Sequence, residues 1–136
     1  MTEEIIRDIT EEDLGKGIIV CRSKAHTFGT DAFLLAWFAR PKPREMVCDL
    51  GTGCGIIPML WAKSASPCEI WGVEIQEDAA AQFEYSIARS VKTCRIVSVC
   101  ADLRELPAGM PCGKFHAVSC NPCLLYTSRM FLSSAI

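Results

Sequence analysis

A glycine-rich segment at residues 49–55 carries the residues best suited to hold a small ligand. It follows an apolar run and precedes a second one that begins at Ile56. Glycines between a strand and a helix let the backbone turn sharply and approach a ligand closely. The spacing is G-x-G-x-G, whereas the dinucleotide fingerprint requires glycine at position 56, so the motif disfavours a dinucleotide. Alternatively, Gly51, Gly53 and Gly55 are only turn residues.

Three carboxylates follow predicted strands: Asp49 before the glycines, Glu74 at the end of the next apolar run and Asp102 after a third run. Asp49 would repel a pyrophosphate and attract a cation, so it favours a cationic or zwitterionic ligand. Glu74 can accept hydrogen bonds from both hydroxyls of a ribose, and Asp102 can accept one from the amine of an adenine. Alternatively, Asp102 caps a short helical turn. An adenosine with a cationic amino-acid arm is S-adenosylmethionine, which these residues favour as the cofactor.

Alternating strands and helices must position these residues. We expect strands at 46–50, 69–74, 95–100 and 116–120, and helices at 56–63 and 76–92. This order predicts an α/β fold, a Rossmann-like open parallel sheet with helices on both faces. Since ligands of such sheets bind outside the carboxyl ends of the strands, the polar residues at those ends, Asn121 among them, should meet at one edge.

Other segments are expected to supply the core. Residues 17–21 predict a short strand, and residues 33–39 predict a buried helix with Thr30 as its N-cap. The apolar face of the helix at 76–92 should extend to Val91. Core positions are also expected for the side chains of Trp37, Trp61, Trp71 and His116.

Composition limits the class of protein. The chain has 136 residues, of which 50% are hydrophobic and 22% charged, so one globular domain is expected. A net charge of −2 excludes a global positive field, so any nucleic acid must be bound by a local patch. The longest apolar run, 32–39, is too short to cross a membrane, and residues 1–12 do not resemble a secretory signal. We therefore expect a cytoplasmic protein without membrane contact.

The nine cysteines are expected to be reduced and mostly buried, because their number is odd and no export signal is visible. Cys48, Cys100 and Cys120 lie in apolar runs. Cys120 and Cys123 form one C-x-x-C motif, but no second pair or nearby histidine completes a zinc site. No metal is therefore expected.

The motifs DLGTGCGIIP, VEIQ, ADLREL and HAVSCNP, with FGTDA at residues 28–32, resemble those of class I S-adenosylmethionine-dependent methyltransferases. The resemblance covers about residues 13–122 and is closest to bacterial adenine-N6 methyltransferases that act on a valine tRNA. It implies tRNA as the substrate, an FGTDA segment packed over the cofactor cleft, and the order 3-2-1-4 for the four core strands. Glutamine methyltransferases of peptide release factors share the glycine loop and Asn-Pro motif and remain an alternative. A non-catalytic nucleoside-binding module is a third.

The resemblance further implies catalytic roles for Asn121 and Pro122, because these families end the fourth strand in Asn-Pro-Pro and an aromatic residue. Asn121 Oδ1 and the Pro122 carbonyl would accept both hydrogens of the substrate amine and leave its lone pair facing the methyl donor. Here Cys123 and Leu124 replace the second proline and the aromatic ring. We therefore expect residues 1–122 to be the N-terminal part of a methyltransferase domain. Residues 123–136 are expected to be a non-matching tail, out of frame or foreign, and the chain as written to be truncated and inactive.

Overall fold

The structure, a computed structural model, describes residues 7–64, 67 and 69–122. The described elements are, in chain order, β1 (Thr10–Gly15), β2 (Ile18–Arg22), α1 (Thr30–Phe38), β3 (Met46–Leu50), α2 (Ile56–Ser64), β4 (Glu69–Glu74), α3 (Glu77–Arg89), β5 (Arg95–Cys100) and β6 (Ala117–Cys120).

The main sheet has four strands in the order β5-β4-β3-β6, and every pair of neighbours is parallel. Cys48 in the central strand β3 lies opposite Trp71 of β4 and Val118 of β6. Strands β3, β4, β5 and β6 are the first to fourth core strands, so the predicted order 3-2-1-4 is confirmed. Parallel neighbours need a crossover between them, and α2 and α3 supply it for β3–β4 and β4–β5.

The helices cover one face of this sheet. Trp61 of α2 and Phe83 of α3 are fully buried there and pack in one cluster with Val47 and Ile70 of the strands. On the opposite face a second cluster joins strand residues to Met110 and other side chains of the segment between β5 and β6. Within the described residues the expectation of helices on both faces is wrong, because that segment consists of turns around two prolines and forms no helix.

Strands β1 and β2 form a hairpin that lies against α3. The sequence predicts β2 but not β1. The buried hydroxyl of Ser86 accepts the Cys21 N–H at 2.8 Å, and Gln82 Nε2 donates to the Cys21 carbonyl at 2.7 Å. The acidic sequence of β1 does not indicate a strand. In the structure one of its acidic residues, Glu11, pairs with Arg89 of α3 at 2.8 Å. Side chains of α3 thus satisfy the free backbone edge of β2.

Helix α1 forms as predicted but is not a buried helix. Its N-cap is Gly29 rather than Thr30, without a side-chain cap. Trp61 Nε1 donates to the Ala36 carbonyl at 3.1 Å and fixes the helix on α2, whereas the side chain of Trp37 is 75% exposed. The helix has apolar residues on every side, but only the side chains that face α2, those of Ala32 and Ala36, are buried. The core positions of Trp61 and Trp71 are confirmed, and that of Trp37 is wrong.

Two further core expectations are wrong. Helix α3 ends at Arg89, so Val91 is not on its apolar face and is 53% exposed. Its N–H donates to the Gly17 carbonyl at 2.9 Å. His116 precedes β6 and is exposed, since its Nδ1 accepts the Met46 N–H at 3.0 Å at the margin of the sheet.

Six of the described cysteines are free thiols: Cys21, Cys48, Cys54, Cys100, Cys112 and Cys120. Cys21, Cys48 and Cys54 are buried, and burial raises the pKa of Cys48 and Cys54 to about 12. The expectation that most are buried is wrong for this part of the chain, because Cys100 and Cys120 end their strands and are exposed, as is the loop residue Cys112.

None of the helices in the described ranges is both long and apolar enough to span a membrane.

Gly55 sets the distance between the glycine loop and α3, which gives a test of the packing. Its φ is +84°, and a Cβ there would overlap the Phe83 ring. We expect Gly55→Ala to lower the free energy of unfolding by about 3 kcal/mol or more, from a left-handed backbone plus overpacking. Urea unfolding measures it. Gly113→Ala is the matched control, with φ +78° and open space around the new methyl, and should lose only about 1–2 kcal/mol. Equal losses would refute the packing argument.

Candidate functional site

The glycine loop at residues 51–55 is tied to the neighbouring strand by its backbone. The N–H of Thr52 donates to the Val73 carbonyl at 3.0 Å, and the N–H of Gly53 donates to Glu74 Oε2 at 2.8 Å. Gly51 and Gly53 have φ of +67° and +58°, and a Cβ at either would meet nothing within 4 Å. The loop therefore presents bare backbone to open space, which is room for a ligand.

Glu74, the last residue of β4, holds this loop in place. The residue is 8% exposed, and each carboxylate oxygen accepts one backbone N–H, from Gly53 at 2.8 Å and from Gln76 at 2.9 Å. Every carboxylate oxygen can accept more than one hydrogen bond, so capacity remains for ligand hydroxyls. The position of Glu74 in the sequence predicts a contact with a ribose but does not indicate this structural role.

Asp49, on β3, lies beneath the loop and is 2% exposed. The hydroxyl of Ser119 on β6 donates to Asp49 Oδ1 at 2.6 Å. Burial raises the pKa of Asp49 to about 6, and the Ser119 hydrogen bond opposes part of that rise. The sequence analysis missed Ser119, although the parallel register places it directly opposite Asp49.

Asp102 follows β5 at the same edge of the sheet, where the Ala101 N–H donates to the Glu74 carbonyl at 3.0 Å. Its carboxylate accepts the backbone N–H of Arg104 at 2.9 Å and pairs with the Arg104 guanidinium at 2.5 Å. The Arg104 hydrogen bonds hold the pKa of Asp102 well below its usual range, at about 2. The geometry favours the turn-capping interpretation, and a contact with adenine stays a prediction.

Asn121 follows β6, and the structure links it to the N-terminal part of the chain. Its Nδ2 donates to Asp31 Oδ2 at 2.9 Å, and Asp31 lies in the first turn of α1. Pro122, the next residue, is exposed. Asp31 belongs to the FGTDA motif, which the sequence analysis connected only with packing over the cleft. The structure thus brings the strand-end residues to one edge, while their binding and catalytic roles stay predictions.

Cys123 and the rest of the expected tail lie outside the described residues.

A cavity of about 440 Å³ lies away from this edge, near the start of β3 and the end of α2. Lys16, Arg40, Lys42 and Lys63 line it, with none of the strand-end residues. In the described ranges no three His, Cys, Asp or Glu side chains are grouped so as to hold a metal ion.

Curated relatives match the chain over much of its length. The tRNA1(Val) (adenine(37)-N6)-methyltransferase of Bacteroides thetaiotaomicron is 36% identical over 95 residues, which are 69% of this chain and 39% of that protein. The protein of the same name from Photobacterium profundum is 28% identical over 96 residues, 68% of this chain and 40% of that protein. The chain thus spans about two-fifths of the length of these relatives. The predicted resemblance is confirmed, although no protein-family model matches the chain.

Solved structures share the fold. Methanocaldococcus jannaschii Trm5, solved in complex with adenosine, superposes with a TM-score of 0.63 at 16% identity over 94% of this chain and 38% of that one. TYW2 from M. jannaschii, in complex with AdoMet, gives a TM-score of 0.56 at 17% identity over 73% of this chain and 46% of that one. The tRNA (m1A58) methyltransferase TrmI from Aquifex aeolicus gives 0.56 at 20% identity, covering 73% of this chain and 39% of that one. The predicted fold class, the open parallel sheet of class I methyltransferases, is confirmed.

The two backbone contacts of Glu74 generate a stability prediction. In Glu74→Gln one of the two N–H groups would face an amide NH₂ in place of an oxygen. We expect the free energy of unfolding to fall by about 2 kcal/mol, because a buried donor loses its acceptor. Chemical denaturation measures the loss. Glu84→Gln, on the exposed side of α3, should change stability by less than about 0.5 kcal/mol. A Glu74→Gln protein as stable as this control would contradict the assignment.

Burial of Asp49 predicts a pH dependence of stability. Its folded pKa of about 6 lies above the unfolded value of about 3.9, so the folded state binds the proton more tightly. Stability from the protonated carboxyl is complete below the unfolded pKa and is lost as pH rises through about 6. The stability of Asp49→Asn relative to wild type should therefore increase by about 2 kcal/mol between about pH 4 and pH 7.

Unfolding curves at a series of pH values measure this difference. Asp78→Asn, at an exposed position on α3, is the control for neutralising a surface carboxylate. A difference between wild type and Asp49→Asn that does not vary with pH would show that Asp49 is not a destabilised buried carboxylate.

Proposed function

We propose, from the similarity of this chain to the tRNA1(Val) adenine-N6 methyltransferases, that residues 1–122 are the cofactor-binding part of a class I methyltransferase domain. The whole protein would transfer a methyl group from S-adenosylmethionine to N6 of an adenine in tRNA. One observation carries the proposal: the Gly53 N–H joins the open glycine loop to the strand-end carboxylate of Glu74 at 2.8 Å. A neighbour with the same fold was solved with AdoMet.

The residues at the strand ends fit an adenosine with a cationic arm. Glu74 accepts the ribose hydroxyls with the acceptor capacity that its backbone contacts leave free. Gly51 and Gly53 leave space for the amino-acid arm, since a Cβ at either position would point into open space. Asp49 supplies negative charge beneath the loop once it is ionised. Asp102 is the proposed acceptor for the adenine amine, although Arg104 occupies part of its carboxylate.

When bound, S-adenosylmethionine supplies an electrophilic methyl group, and Asn121 prepares the nucleophile. The nitrogen of an exocyclic amine reacts poorly because its lone pair is delocalised into the ring. Asn121 Oδ1 and the Pro122 carbonyl would accept hydrogen bonds from its two N–H groups and leave the lone pair facing the methyl donor. The amine would lose one of these protons to solvent as it gains the methyl group, and S-adenosylhomocysteine would leave. This places the reaction at the end of β6, at the same sheet edge as the glycine loop.

The proposed tRNA substrate rests on the similarity of this chain to tRNA1(Val) methyltransferases. The chain carries a net charge of −2, so the phosphates of the tRNA must be bound elsewhere than by a global positive field. They would be bound by local basic patches, or by a part of the whole protein that corresponds to the region of the relatives that this chain does not span. A tRNA substrate places the activity in the cytoplasm.

Ligand analogues test cofactor binding without altering the fold. We expect S-adenosylhomocysteine to bind the purified chain, and its 2′-deoxy analogue to bind about tenfold or more weakly, because one charge-assisted hydrogen bond to Glu74 is lost. Isothermal titration calorimetry measures both affinities. Equal affinities would show that Glu74 does not bind the ribose. If neither ligand bound, the assignment of S-adenosylmethionine as the cofactor would be rejected.

Nucleoside mass spectrometry tests the reaction. The whole protein that contains this chain should form N6-methyladenosine in unmodified tRNA, and Asn121→Ala should lower the rate by about a hundredfold, the effect of poor positioning. A methylated glutamine in a release factor, with unmodified tRNA, would reject the adenine substrate while leaving the cofactor assignment intact.

A further inference from the structure

Asn121 has two chemically opposite ends, and nothing in the residue itself decides which one faces the substrate. Its amide carries an acceptor oxygen and a donor NH₂ of nearly the same shape. The proposed function requires the oxygen to face the substrate amine, since an NH₂ in its place would be a donor facing a donor. A rotation of about 180° about the last side-chain bond therefore separates a productive site from an unproductive one.

Asp31 faces the other end of this amide. Asn121 Nδ2 donates to Asp31 Oδ2 at 2.9 Å, a contact between side chains that are 90 residues apart in sequence. A carboxylate is only an acceptor when ionised, so it binds the NH₂ end and repels the oxygen. The contact thus selects one orientation of the amide, with Oδ1 directed away from Asp31.

Three features of the fold hold Asp31 at this place. It lies in the first turn of α1, where the partial positive charge of the helix N-terminus stabilises a carboxylate. The preceding Gly29 leaves it room, because a Cβ there would lie 2.9 Å from Asp31 Oδ1. Helix α1 itself is fixed on α2 by the hydrogen bond from Trp61 Nε1 to the Ala36 carbonyl. Asp31 is therefore attached to the core even though its side chain lies at the surface.

We propose that Asp31 is a positioning residue, which acts through Asn121 by holding its amide with Oδ1 toward the substrate amine. This inference rests on the proposed function, which gives Asn121 its contact with the adenine. It assigns the FGTDA segment a role in the methyl-transfer step in addition to packing. It also explains a connection between α1, which precedes the sheet in sequence, and the last described strand.

The contact is tested first in the chain itself, without any activity. The side-chain NH₂ signals of Asn121 in a ¹⁵N-labelled sample are identified by their loss in Asn121→Ala. Asp31→Ala should shift them strongly and speed their exchange with water, whereas Asp78→Ala should leave them unchanged. Asp78 is the matched control because it occupies the second position of α3, as Asp31 does in α1. Unchanged Asn121 signals in Asp31→Ala would overturn the inference whatever the protein methylates.

The function is tested by turnover of the whole protein on tRNA. Asp31→Ala should lower kcat by about 10- to 100-fold, with the KM for tRNA and the affinity for S-adenosylhomocysteine changed less than about threefold. Asp31→Asn keeps an acceptor oxygen and should restore most of kcat. Asp31→Lys places a donor beside Asn121, turns the amide over and should be slower than Asp31→Ala. The control Asp78→Ala should retain the wild-type kcat.

A double-mutant cycle separates positioning from a general structural effect. If Asp31 acts through Asn121, then adding Asp31→Ala to Asn121→Ala lowers kcat no further. Additive losses, or a wild-type kcat in Asp31→Ala, would overturn the inference. A wild-type protein that forms no N6-methyladenosine would reject the proposed function instead, and the amide signals would still decide whether Asp31 orients Asn121.

Discussion

The carboxylate of Glu74 is the point on which the rest of the candidate site depends. It ends β4, accepts the N–H of Gly53 from the glycine loop and accepts the N–H of Gln76 where α3 begins. One buried side chain thus connects β3, β4 and two helices at the edge where ligands of parallel sheets bind. Backbone donors in such a place need a buried acceptor, and a carboxylate satisfies two of them while keeping capacity for a ligand.

This arrangement gathers negative charge in a region of low dielectric. Asp49 and Glu74 are both nearly inaccessible to solvent, and burial raises the pKa of Asp49 to about 6. A buried carboxylate with a raised pKa destabilises the folded state near neutral pH, because it is ionised there in a region of low dielectric. The same property suits a site for a cation, because a positive ligand favours the ionised form. Stability and binding therefore make opposite demands on Asp49.

Much of the fold could be predicted because its signals are local. The runs at β3, β4 and β5 are mostly apolar and bounded by polar or turn residues, as expected for strands of a parallel sheet, and all three have their predicted bounds. Several of the errors share a physical cause: a hydrophobic side chain does not specify what covers it. Trp37 and Trp61 both lie in apolar helices, but only Trp61 faces another element. Strand β1 is rich in acidic residues, which do not indicate a strand; of these, Glu11 is paired with Arg89, far along the chain.

The sequence by itself determined the order of strands and helices, the glycine loop and the acids that follow the strands, because turn residues and apolar periodicity act over a few neighbours. Only the tertiary structure decided which of these groups meet. It placed Ser119 against Asp49, the Gly53 N–H on Glu74 and Asp31 beside the amide of Asn121. Such hydrogen bonds join residues 21 to 90 positions apart, and their geometry depends on the register of a parallel sheet and on how α1 docks against it. No local pattern carries that information, because the free energy that fixes it comes from packing across the whole sheet.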